Sequence, residues 1–394
     1  MPLAPWLSHY KTDFELARRR RNESIAFDDM RCEAFDRFLR LGFPSTADAT
    51  WRLTDITALA ETNFSLGAKP AEGAARDALT ALPFGALSEL EITFINGYCM
   101  AGGSRTAPLP RGAVVAPLMP VLTSSADDVR DCFARIARVD CLPLVALNTA
   151  LFEDGAAVIV PPGTAIEQPI HARFLSNGEA DAKPAMSQPR MLLVLCDGSR
   201  ATVVESYAGP DGIDYFTNGV TEVVLGEGAA LDHYRLQRES TAAYHISATH
   251  VIVGRNSTYS GHAITLGGAL VRNETMILLG GEGARCAVNG LYVADGGRLV
   301  DTCTMIDHAM PGCASRQRYR GIVGVAGRGV FSGQNTVRPE AETTASVSIR
   351  THQLAIDRID RFDAFSGPAL NRIARPLRAT VKRQLQQRLG GGSV

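Results

Sequence analysis

The chain has 394 residues, 45% hydrophobic and 21% charged, with a formal net charge of −1. Such a balance excludes a global field for nucleic acid, an anionic membrane or an acidic substrate, and no apolar run nears the roughly 18 residues of a membrane span. The apolar fraction is that of an ordinary globular protein, and the length admits two or three units of ~150 residues or one long all-β domain.

The opening stretch MPLAPWLSHYKTDFELARRRR has neither a continuous apolar core nor a small-residue cleavage site, so it does not read as a signal peptide, and the expected compartment is the cytoplasm. The arginine run from Arg18 to Arg21 reads as a solvated helix face, because one run in a neutral chain makes a weak patch for nucleic acid or lipid. From Ser24 to Leu41 the residues Phe27, Met30, Ala34, Phe35, Phe38 and Leu39 fall at helical spacing. Gly42 can cap that helix and Pro44 stops it from resuming. Residues 65–90 hold many small residues and no clear strand. Strand-like text starts at LEITFINGY (Leu90 to Tyr98) and continues to about Ile356, with a polar loop expected from Ser176 to Pro189. The expected organisation is an N-terminal helical region (1–89), a β core (90–356) and a C-terminal helical tail (357–394).

One turn recurs inside the β core. DGAAVIVP from Asp154, DGSRATVV from Asp197, EGAALDHY from Glu227, EGARCAVN from Glu282 and DGGRLVDT from Asp295 each open with an acidic residue and a glycine. A small residue follows (Ala156, Ser199, Ala229, Ala284, Gly297), and four positions past the acid the chain is apolar (Val158, Ala201, Leu231, Cys286, Leu299). The acid can accept turn N–H groups and the glycine can supply a positive φ. Stacked rungs explain why the same small residue recurs, since corresponding corners meet similar neighbours. Irregular spacing argues against a strict short repeat and suits an irregular β-helix; a β-sandwich, with turns every ~8–12 residues, is the competing architecture.

Past Ile356 the text reads as helix. Leu370, Ile373, Leu377, Val381, Leu385 and Leu389 step by three or four residues into one apolar stripe, which Pro376 should kink or divide. Between Asp357 and Leu389 eight Arg/Lys stand against three Asp. A stripe this apolar must dock, either on the chain's own β body or on a partner protein.

The eight cysteines contain no CxxC pair, which argues against a zinc ribbon or a disulfide scaffold, and most read as small buried residues. The best candidate metal ligands are Cys303, His308 and Cys313 in DTCTMIDHAMPGCAS, since thiolate and imidazole ligate iron or zinc. Cys303 and His308 are an odd number of residues apart, so a regular strand would place them on opposite faces; a turn near Pro311 could reorient Cys313. His171, His233, His245, His250 and His262 are dispersed and read as structural. No G-x-x-x-x-G-K segment is present, so no ATPase site is expected; GRGVFSG from Gly327 reads as a strand turn.

Several segments resemble the SufB/SufD family of iron–sulfur cluster assembly proteins: GFPSTADATWRLTDITALAETNF from Gly42, LNTALFEDGAAVIVPPGTAIEQPIH from Leu147, RMLLVLCDGSRATVVESYAG from Arg190, and nearly all of Leu270 to Gly333, the last looking more like SufD than SufB. The resemblance implies a right-handed parallel β-helix between helical ends. It implies a non-catalytic scaffold subunit that pairs with a SufB-like subunit and carries a SufC-like ABC ATPase on its C-terminal helices. No intrinsic cofactor is implied, only a transient iron–sulfur cluster at a partner interface; homodimerisation is left open. The family continues past the strand matched by Ile349 to Ile356 into further rungs with a K-C-x-H-G-A-type motif, whereas here Ile356 runs directly into DRIDRFDAFSGPALNRIARPL and no Cys or His lies beyond His352. The expectation is a shortened solenoid that retains SufC docking and pairs more weakly with SufB. The alternative is a β-helix carbohydrate-active enzyme, a lyase or hydrolase, for which Asp232, Asp301 and Asp307 are the acidic candidates; it needs paired carboxylates in one groove.

Overall fold

The computed structural model describes residues 5–21, 23–70, 87–100, 104, 107–124, 132–137, 139–177, 183–341, 346–355 and Arg383. Two helices open the chain, α1 (Pro5–Arg20) and α2 (Ile25–Leu41), and shorter ones span Thr57–Glu61, Leu118–Ser124 and Pro143–Leu151. The first strands are β1 (Ser65–Leu66), β2 (Leu90–Ile95), β3 (Tyr98–Cys99), β4 (Val114–Pro117), β5 (Gly155–Val160), β6 (Ile170–Leu175) and β7 (Ala185–Ser187). Then follow β8 (Arg190–Leu195), β9 (Arg200–Ala208), β10 (Tyr215–Leu225), β11 (Ala230–Arg238), β12 (Tyr244–Val253) and β13 (Thr258–Thr265). The last are β14 (Leu270–Leu279), β15 (Arg285–Ala294), β16 (Leu299–His308), β17 (Ala314–Val323), β18 (Arg328–Val337) and β19 (Ser346–Ala355).

From β8 onward the chain alternates between two sheets. Sheet A runs β18-β16-β14-β12-β10-β8-β5-β4 and sheet B runs β19-β17-β15-β13-β11-β9-β6-β2-β3. Every pairing from β5 to β19 is parallel; only β2–β3 and β4–β5, at the N-terminal end, are antiparallel. A sandwich of antiparallel hairpins is therefore ruled out, and the fold is a β-solenoid of about six turns with flanking N-terminal helices. Among the described residues no helix is long and apolar enough to cross a membrane.

The corners explain the recurring turn, with one correction. Gly163, Gly198, Gly228, Asn256, Gly283 and Gly312 stack at the edge where the chain leaves sheet A for sheet B, all at φ between +53° and +71°. Five of the six N–H groups in the column reach a carbonyl one rung on; Gly198 donates to Glu227 O at 2.7 Å, Gly228 to Arg255 O at 2.8 Å and Asn256 to Glu282 O at 2.9 Å. The Cβ of any residue replacing Gly228 would lie 3.9 Å from Gly198 Cα, so the column is nearly backbone on backbone. Behind it Ser199, Ala229, Ser257, Ala284 and Cys313 are buried, which is why the next position must be small. Three of the five acidic-Gly pairs belong here. Gly296 instead turns at the opposite edge, where its N–H donates to Val325 O, and Gly155 lies within β5, its missing side chain leaving room for the Arg190 carbonyl. The sequence motif merges two edges and a strand start because all three need a residue without a side chain.

The helical end follows the predicted pattern. Ala34, Phe35 and Phe38 are the buried side of α2, and Gly42 caps it at φ +69°, its N–H bonded to Phe38 O at 2.8 Å. Phe14 of α1 stacks on Phe35 at 4.2 Å. The arginine run is not uniformly solvated, however. Arg18 and Arg20 stay about half exposed, but the Arg21 side chain is only 8% exposed and donates to the carbonyls of Ala150, Leu151 and Phe152. Those are the orphan carbonyls that end the Pro143–Leu151 helix, and a cation there also meets the negative end of the helix dipole. Arg31 reaches the same carbonyls from α2 and lies 4.0 Å from the Phe152 ring centroid. Two very short strands also escaped the sequence reading: β1, in the stretch read as strandless, pairs with β7, in the stretch read as loop.

Candidate functional site

The space between the sheets divides lengthwise. The half next to the glycine column is apolar: Leu193, Leu195, Val223, Leu225, Leu231, Val251, Val253, Ile277 and Leu279 form one cluster. The other half is polar and holds several buried titratable groups. Strand alternation puts Glu205 on β9 and Arg235 on β11 at paired positions, both facing inward.

Arg235 Nε donates to Glu205 Oε1 at 2.6 Å, while Tyr207 and Thr221 hydroxyls donate to Oε2 at 3.0 Å each. The other arm of Arg235 donates to Ser247 Oγ at 3.0 Å, to Asn273 Oδ1 and, very closely, to Thr249. His233 lies between Glu205 Oε1, at 3.4 Å, and Tyr259 Oη, at 3.0 Å. Burial alone would raise the Glu205 carboxyl, but Arg235 and His233 beside it hold it far below the usual carboxylate range. For Arg235, burial opposes the charge, and Glu205 more than offsets it. The pair is thus ionised inside the protein, which is stable only because nearly every donor and acceptor is matched.

Neighbouring rungs repeat the arrangement. Glu239 accepts from Thr217 Oγ1 at 2.6 Å and Gln237 Nε2 at 3.0 Å, and lies 2.7 Å from His245 Nδ1. Thr304 Oγ1 donates to Gln317 Oε1 at 2.5 Å, and His308 Nε2 meets Ser315 Oγ at 2.9 Å. The space left beside Arg235 and Tyr259 is about 20 Å³, on the scale of a single water. Aromatic rings fill the rest: Tyr319 lies over inward Gly290 and Tyr292 over Gly321, where a Cβ would collide with the ring. Chemically this part of the lumen is a packed strut, in which most polar groups pair with each other while ring nitrogens of His233, His245 and His308 are left without a hydrogen-bond partner.

The outer faces carry further ionic clasps. Glu222 on β10 accepts the backbone N–H groups of Ala134, Ile136 and Ala137 at 3.0–3.2 Å and an Arg190 N–H at 2.5 Å, fastening residues 132–137 to sheet A. Arg272 lies 3.9 Å from the Trp51 ring centroid and pairs with both Glu274 and Asp301. Glu91, His171 and Ser206 form a hydrogen-bonded line on sheet B, with 3.1 Å and 2.8 Å between successive partners, and all three are buried.

The structure does not assemble the predicted metal ligands. Cys303 points to the outer face of sheet A beside Glu274, its thiol pushed up to about 11 by burial and then by Glu274. His308 points inward to Ser315, and Cys313 sits in the corner column beneath the Gly281 carbonyl. Strand alternation separates the first two, and the turn at Pro311 does not bring the third back. Among the described residues no group of three or more His, Cys, Asp or Glu is placed to hold a metal ion. The carboxylates wanted by a polysaccharide-cleaving site are likewise dispersed: Asp232 lies on sheet B beside Ser260, while Asp301 and Asp307, on sheet A, are held by Arg272 and Arg338. The predicted partner stripe (Leu370, Ile373, Leu377, Val381, Leu385) and the junction after Ile356 lie outside the described residues.

Sequence reasoning missed the buried ionic lane. Its signal was present: VVESYA and LDHYRLQR place Glu205, His233, Arg235 and Gln237 at every second position of strands whose flanking turns fix the inward side.

Among the described residues the chain is a two-sheet parallel β-solenoid with a closely filled lumen and an N-terminal helical cover. Family comparison then identifies the family. The description "SufBD protein N-terminal region" matches residues 6–172, and "SUF system FeS cluster assembly, SufBD core domain" matches residues 174–365. A SufBD family iron–sulfur cluster assembly protein of Synechocystis is 29% identical over 313 residues, 77% of this chain and 68% of the relative. The iron–sulfur cluster assembly protein SufD of Escherichia coli is 25% identical over 306 residues, 78% and 69% respectively. The SufB protein of Bacillus subtilis is 24% identical over 228 residues, 57% and 47%. The chain belongs to the SufB/SufD family of iron–sulfur cluster assembly proteins, on the SufD-like side.

Proposed function

We propose that this protein is a non-catalytic, SufD-like scaffold subunit in the cytoplasm. In this reading it pairs with a SufB-like subunit through the open end of its solenoid and docks a SufC-like ABC ATPase on its C-terminal stripe. The iron–sulfur cluster is cargo, built transiently at the interface with the partner rather than held as a resident cofactor.

The observation that carries the reading is the last described rung. β18 and β19 pair on one side only among the described residues. Val347 and Ile349 continue the inward rows of Ser315 and Gln317 yet are 43% and 41% exposed. Unpaired strand edges with apolar rows behind them are templates for another chain. The packed lumen, with space for little more than a water, supports a structural rather than a catalytic role. The sequence contains no phosphate-binding G-x-x-x-x-G-K segment, which is consistent with ATP hydrolysis residing on a partner.

The test is binary mixing. The wild-type chain is expected to form a complex with the SufB-like subunit and, separately, with the SufC-like subunit. Val347→Lys with Ile349→Lys is expected to remove the first complex, and Leu377→Lys with Leu385→Lys the second. Loss of neither complex, or a homodimer that excludes the SufB-like subunit, overturns the scheme.

A further inference from the structure

We infer that the outer face of sheet A carries a binding site for a soft monovalent cation, Cu⁺ or Ag⁺, formed by His250, Met276 and Met305. The three residues occupy one row across adjacent strands: His250 on β12 pairs with Met276 on β14, which pairs with Met305 on β16. Parallel strands are ~4.8 Å apart, so the flexible thioethers of both methionines can converge on the imidazole. The neighbours Val251, Ile277 and Ile306 belong to the lumen cluster, which puts the row itself on the outside. It lines a groove of about 360 Å³ with Ile136, Ile252 and Leu278.

The second, independent observation is His250 itself. Its residue is 4% exposed and its Nε2 has no hydrogen-bond partner. An unpartnered buried polar atom costs about 1–3 kcal/mol, and along its row His250 is followed by the thioethers of Met276 and Met305 and then by Gln334 on β18, with Glu222 of β10 on its other side. Burial, the largest influence, together with Arg190 and against Glu222, lowers the His250 pKa to about 4, so the ring is a neutral ligand at pH 7. Thioether and imidazole select soft or borderline cations and reject Mg²⁺ or Ca²⁺. Arg135 and Asp307 also line the groove, one charge of each sign.

Cysteine thiols compete for such ions, and Cys303 lies two residues from Met305, so uptake alone is not diagnostic. The full-length protein is labelled with ¹³C at the methyls of its nine methionines, its reactive thiols are capped by alkylation, and it is titrated with Ag⁺, which is redox-inert under these conditions. The first equivalent is expected to shift the Met276 and Met305 methyl signals and leave the others in place. Met276→Leu with Met305→Leu, a near-isosteric change, is expected to lose that equivalent while its melting temperature holds; His250→Gln is expected to weaken it. The proposal is overturned if the two signals stay fixed while Ag⁺ is consumed, or if the double variant keeps its first equivalent.

Discussion

Arg235 donates its Nε–H to Glu205 across adjacent rungs at 2.6 Å, at paired positions of two parallel strands and sealed between two sheets. A buried charge pair is weak evidence of net stability, because desolvation consumes most of the Coulombic gain, but breaking it is costly. Arg235→Met alone is therefore expected to destabilise by roughly 3–5 kcal/mol. Combining it with Glu205→Leu should recover most of that loss. Urea unfolding of the singles and the double measures the coupling; simple additivity would show that the two side chains do not act together.

Glycine positions separate by mechanism. Gly228→Ala meets only ordinary contacts but forces alanine to φ +66°, a cost of about 1–2 kcal/mol. Gly155→Ala has no φ problem, but its Cβ would overlap the Arg190 carbonyl, so the larger loss is expected there, with β5 and β8 pushed apart. Melting temperatures of the two variants, side by side, check the order.

The His250 imidazole gives a pH signature of definite sign. Its folded pKa is lowered to about 4, while an unfolded histidine titrates near ~6.5. Its contribution is present above the unfolded value and is lost as pH falls through that window, when the unfolded chain takes up the proton first. Asp154 runs the opposite way, since burial raises it to about 6, so the wild-type curve alone mixes signs. The difference between wild type and His250→Gln isolates the histidine and is expected to change by about 3 kcal/mol between pH 7 and pH 4. A flat difference would mean the ring is solvated.

Arg31 fastens the helical cover to the solenoid. It is 2% exposed, donates to Phe152 O at 2.9 Å and pairs with Glu23. Arg31→Met is expected to remove one of the two arginines that cap the Pro143–Leu151 helix, leaving Arg21, and to expose α1 and α2 to proteolysis before the β rungs. Limited digestion that releases both parts at the same rate would contradict this.

Much of the fold was legible because a stacked corner imposes the same demand on every rung: a positive φ, then a small buried residue. Gly198, Gly228 and Gly283 carried that signal, whereas Asn256 met the same demand with a different residue and stayed invisible. Alternation alone predicted that Cys303 and His308 would part, as they do. The ionic lane was harder, since which side of a strand faces the lumen follows from both sheets together and not from one strand's text. Arg21 was misread for a related reason: the carbonyls it caps lie 129–131 positions away.

The most direct test of the scaffold account is the size and composition of the complex formed on co-expression with a SufB-like subunit. Light scattering after gel filtration is predicted to give a one-to-one pair with the wild-type chain and separate subunits with Val347→Lys and Ile349→Lys. An unchanged pair from the doubly substituted chain, or no pair from the wild type, would contradict it.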